Sequence, residues 1–141
     1  MKRLVVASIA TFTACSYGYV APIITMPLAP QMAGATRCSD NNLPVILIQV
    51  GITSDQREAA IVHEMVHVRQ MNAHIGGCKG AFKHALTNKA FRVSQEKEAY
   101  CEEARWAWKR QGHDLKLLNT AIHELFKRIY DTTGVTCSLP P

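Results

Sequence analysis

The sequence predicts a mainly helical α+β domain, and three features carry that expectation. The run Leu-Pro-Val-Ile-Leu-Ile-Gln-Val over residues 43–50 is β-branched and closes at Gly51, the composition of a short strand or one arm of a hairpin. An apolar helix with its own capping signal follows almost at once. Two further stretches, split at Gly112, keep helical spacing to about Tyr130. At 141 residues the chain has room for a single core.

The first residues read as a targeting segment. Lys2-Arg3 precedes an uncharged, largely apolar run from Leu4 to Ala14, so residues 1–14 are expected to be a signal peptide. That run is too short to span a bilayer before Cys15. Phe12-Thr13-Ala14-Cys15 resembles a bacterial lipobox, with Phe12 where an aliphatic residue is usual. The resemblance implies acylation of Cys15 and attachment to a membrane; ordinary cleavage between Ala14 and Ala35 is the alternative. The expected location is the periplasm or cell envelope. Residues 15–42, rich in Pro, Ala, Thr and Ser, predict a tether or irregular arm, leaving 43–141 as the folded domain.

Charge and cysteine content narrow the class. The net charge of +5 falls to +3 without Lys2 and Arg3, so no nucleic-acid partner is expected. Of five cysteines, setting Cys15 aside leaves Cys38, Cys78, Cys101 and Cys137. Four cysteines in a small exported domain, with no C-x-x-C pair, predict two disulfides in one of three connectivities. A bridge from Cys38 or Cys137 would tie down an otherwise loose end.

The helices follow in order. Thr53 or Ser54 is an N-cap, with Gln56 completing a capping box and Asp55 and Glu58 in the first turn. This helix should run to residues 71–74 and stop at Gly76-Gly77. A short helix is expected around 81–90, a long one over 91–111 closed by Gly112, and a third main helix over 115–130 capped by Asp114. Leu115, Leu118, Ile122, Leu125 and Ile129 form the apolar stripe of the last.

The first long helix carries the chemistry. His63-Glu64-x-x-His67 places two imidazoles one turn apart on the same face, able to reach one metal ion, with a carboxylate beside them. The motif resembles that of the zincin metallopeptidases, and the resemblance implies a minimal zincin-like fold and a Zn2+ cofactor. It also implies a peptide or protein substrate, cut by zinc-activated water with Glu64 as general base. A catalytic zinc needs a third protein ligand. The metzincin pattern fails, because Gln70 and Ala73 stand where it has Gly and His. Ser94-Gln95-Glu96-Lys97-Glu98-Ala99 resembles the gluzincin-like stretches in which a glutamate on a later helix binds the metal. At about 100° per residue, Glu96 shares an arc with Val93, Ala99, Tyr100, Ala104 and Ala107, whereas Glu98 lies with Gln95, Glu102 and Arg105. Glu96 is therefore the expected third ligand and Glu98 the fallback.

Tyr100 stands where such families often carry an acid that orients a zinc histidine. Tyr100 and Glu103 are both candidates for that role, and Tyr100, His74, His84 or His113 for holding an oxyanion. The segment 65–95 holds Arg69, Lys79, Lys83, Lys89 and Arg92 and no acid, the pattern of a solvated face or of a rim for an anionic ligand. Two other classes fit the sequence: a non-catalytic zinc-stabilised envelope lipoprotein, and an exported interaction module in which these residues merely pack. Oligomeric state is not legible.

Overall fold

The computed structural model describes residues 19–138; the expected signal peptide and Cys15 lie outside them. Three strands precede four helices: β1 (Ile23–Met26), β2 (Gly34–Cys38), β3 (Pro44–Gln49), α1 (Ser54–Ala73), α2 (Gly77–Thr87), α3 (Lys89–Gln111) and α4 (Leu115–Tyr130). This is a mainly helical α+β fold.

The sheet corrects one expectation. Residues 15–42 are not an irregular arm throughout, because they supply two of the three strands. β3 is central, with β1 parallel on one side and β2 antiparallel on the other. Its Ile46 and Ile48 are fully buried, so an apolar strand is held between two weakly patterned ones. β1 and β2 are four and five residues long and, among the described residues, pair as strands only with β3. Short strands of this kind depend on tertiary pairing rather than on propensity. Pro44 is tolerated as the first residue of its strand.

The β2–β3 turn is pinned to the start of α2. Asn42 takes a left-handed conformation there (φ 61°), one that Asn accepts more readily than most residues. Its side chain accepts from the Lys79 amide at 2.7 Å and donates to the Gly76 carbonyl at 3.3 Å. Gly77 (φ +62°) must be glycine twice over, since a Cβ there would lie 2.8 Å from Asn42 Nδ2. α2 consequently starts at Gly77, earlier than the spacing predicts. The disulfide Cys38–Cys78 closes the same corner.

α1 begins as expected: Thr53 Oγ1 accepts from the Gln56 amide, and Gln56 returns the bond to the Thr53 amide. It packs against β2 and β3 on one side and α2 and α3 on the other. Ala60 and Val68 join Ala21, Ile46 and Ile48 in one core cluster. A second cluster unites α3, α4 and the tail through Cys101, Ala104, Ile122, Phe126, Val135 and Cys137. The disulfide Cys101–Cys137 staples this second cluster across 36 residues. Replacing both of its cysteines by alanine is expected to lower the unfolding free energy by about 2–4 kcal/mol. Urea denaturation reads this, and an unchanged midpoint would mean the tail docks without the bridge.

Candidate metal centre

α1 and α3 bring three donor atoms to one point. His63 Nε2 and His67 Nε2 are 3.2 Å apart, and Glu96 Oε2 lies 3.4 Å from the first and 3.6 Å from the second. A tetrahedral metal with N and O donors at 2.0–2.2 Å holds neighbouring donors roughly 3.3–3.6 Å apart. The three observed separations bracket that edge length. This is the one group of metal-ligating side chains found among the described residues.

The rings are oriented from behind. His63 Nδ1 sits 3.0 Å from Glu103 Oε2, and His67 Nδ1 sits 2.9 Å from Gln70 Oε1. Both acceptors favour a proton on Nδ1, which leaves the two Nε2 lone pairs facing each other. Two lone pairs at that separation repel unless a cation, either a proton or a metal, lies between them. The Gln70 amide is itself held, because its Nε2 donates to the Gln95 carbonyl at 3.1 Å and to Glu98 Oε2 at 2.8 Å. Glu98 also accepts from Arg69 at 2.7 Å. Glu98, half exposed, thus stands behind Gln70 rather than with the donors.

The electrostatics express the same convergence. Burial works against a charged His63, but bonds to Glu103 and Glu96 outweigh it and raise its pKa to about 9. Burial also opposes a charged Glu96, yet the two imidazoles bring its pKa down to about 2. In metal-free protein, His63 therefore contributes stability that is complete below pH 6.5 and is lost as pH rises through about 9. Glu96 contributes stability present above pH 4.5 and lost as pH falls toward 2. The melting temperature of metal-free protein should accordingly fall between pH 6.5 and 9, and metal uptake should release protons over the same range. A melting temperature flat across that window would contradict the assignment.

Glu64 lies in the same cleft as the donors, with one of its oxygens held by β2. It is buried, and its Oε2 accepts from Thr36 Oγ1 at 2.7 Å. Burial pushes its pKa up, while the Thr36 hydroxyl pulls the other way. Close approach of β2 makes this bond feasible: a Cβ on Gly34 would come within 3.0 Å of Glu64 Cγ and 3.1 Å of Oε1. The three donors, Glu64, Thr36, Gln70 and Glu103 line a cleft of about 1100 Å³ between β2, α1, α2 and α3.

The remaining candidates separate cleanly. Glu103, not Tyr100, occupies the position behind His63. The Tyr100 ring instead packs edge-on against His63, with centroids 4.4 Å apart, and its hydroxyl is kept protonated by burial and by the charge of Glu96. His74 and His84 pack on Phe91, and with His113 they are absent from the cleft lining. Three contributors went unforeseen: Thr36, Gln70 and Tyr130. Gln70 left a trace, lying three residues after His67 on the same helical face. Tyr130 reaches the cleft from the end of α4, and burial together with Glu96 raises its pKa to about 12.

The chain matches no protein-family model, no curated protein and no solved structure.

Proposed function

We propose that this protein is an exported zinc metallopeptidase. The observation that carries the reading is the meeting of His63, His67 and Glu96 at tetrahedral spacing, with buried Glu64 in the same cleft. The donor set of two imidazoles and one carboxylate, with one coordination position left over, suits a catalytic zinc. Bound there, zinc supplies Lewis acidity and lowers the pKa of a coordinated water from 15.7 to near 7.

The protein's own groups supply the rest. Glu64, raised by burial, takes a proton from the attacking water and returns it to the leaving amine. The hydroxyls of Tyr100 and Tyr130 stay protonated at neutral pH and serve as donors to a carbonyl oxygen as it gains charge. A polypeptide substrate is favoured by the edge of β2. Gln49 bonds to Ala33 and Ser39 to Leu43, so the alternate residues Gly34 and Thr36 turn their backbone N–H and C=O away from β3. Such groups pair with an extended chain. The two disulfides fit an oxidising compartment, and no helix among the described residues is long and apolar enough to cross a membrane.

Zinc-loaded protein incubated with an unfolded protein mixture is expected to generate new N-termini, detectable by mass spectrometry. A chelator should abolish them and added zinc restore them. A fully zinc-bound protein that produces none would rule out the peptidase.

A further inference from the structure

Arg92 is a part-buried cation that no carboxylate pairs with among the described residues. It lies on α3 one turn before Glu96 and lines the same cleft. Its Nη1 reaches only the Ala85 carbonyl, at 3.4 Å, and its buried Nε has no hydrogen-bond partner among the described residues. No carboxylate pairs with it there, whereas Arg69 and Arg105 each hold one. The Nε is enclosed by protein, so a ligand in the cleft meets the guanidinium at its Nη nitrogens, whose planar arrangement suits a carboxylate. Its surroundings point the same way. Among the described residues, Lys79 and Lys83 line the cleft on the α2 side without a carboxylate partner, the Lys79 ammonium donating only to the Asp40 carbonyl at 3.0 Å.

We propose that Arg92 receives a substrate carboxylate, so that the favoured substrates are polypeptides carrying a carboxylate close to the bond that is cut. The carboxylate belongs either to an acidic side chain or to the chain's C-terminus. Residues four apart on a helix hold their Cβ atoms about 5–6 Å apart, and an extended peptide advances about 3.3 Å per residue. The carboxylate therefore lies within about two residues of the scissile bond. The inference rests on the peptidase reading for its geometry, but the subsite can be read without turnover.

The test uses matched peptide sets that differ only in charge: Glu or Asp against Gln or Asn at each position, and a free against an amidated C-terminus. Cleavage is measured with zinc-loaded protein, and binding by fluorescence anisotropy with the Glu64→Gln protein. Wild type should favour one of the carboxylate forms, and which set responds identifies the source. Arg92→Gln should lower kcat/KM for that form by about 10- to 100-fold and leave its neutral counterpart within about twofold. Arg92→Lys, which keeps the charge but loses the fork, should fall between them. Should Arg92→Gln fail to fold, Arg92→Lys carries the assignment to Arg92, and a wild type without any carboxylate preference still overturns it. Equal cleavage of charged and neutral peptides overturns the subsite and leaves the peptidase standing. Carboxylate-selective binding without any cleavage keeps the subsite and removes the peptidase.

Discussion

Replacing Glu64 by glutamine is expected to lower kcat/KM for peptide hydrolysis by about 10²- to 10⁴-fold, with zinc content and fold retained. The expectation follows from what the carboxylate touches. One oxygen accepts from the Thr36 hydroxyl, a bond that a glutamine carbonyl can also accept, so packing beneath β2 should survive. Glutamine cannot take up a proton from water, so the step that depends on the base is lost. Circular dichroism and metal analysis beside the kinetics separate this outcome from unfolding. An undiminished rate would move the general base to another residue and remove the main argument for a peptidase. A zinc-stabilised envelope protein without catalytic activity predicts that the substitution changes nothing at all.

Glu96→Ala should have the larger effect on metal. It deletes a donor and leaves two imidazole nitrogens 3.2 Å apart without the carboxylate that balances a bound cation. Zinc affinity, measured by competition with a chelator, is expected to fall by well over the 10- to 100-fold typical of an outer partner. Glu98→Ala supplies the internal control. Glu98 acts through Gln70, whose amide it helps to orient, and its loss should fall inside that 10- to 100-fold range. Equal losses, or a larger loss for Glu98, would contradict the placement of Glu96 among the donors.

How much of this was legible in the sequence depends on where each signal resides. Local signals were strong. Thr53 and Gln56 announced the start of α1, Asp114 the start of α4, and Gly112 the end of α3, because capping is a contact among neighbours in sequence. The helical wheel separated Glu96 from Glu98 because a helix facing the core must sort its carboxylates by face. What depends on distant partners was hidden. β1 and β2 are strands only because β3 lies between them. Thr36 and Glu64 meet across 28 residues, and the pairing Cys38–Cys78 with Cys101–Cys137 follows from the docking of α2 and of the tail. Tyr130 enters the cleft only once α4 has packed on α3, and Arg92 looked like one more member of a basic surface run. Nothing local marks its Nε as buried.

Two histidines of α1 and one glutamate of α3 are proposed to hold a single zinc. X-ray absorption at the zinc edge of purified full-length protein reads this most directly. The expected spectrum shows one zinc per chain, a nitrogen and oxygen shell at about 2.0–2.2 Å with the outer scattering of two imidazoles, and no sulfur near 2.3 Å. A sulfur shell, a single imidazole, or protein that retains no stoichiometric zinc would contradict it.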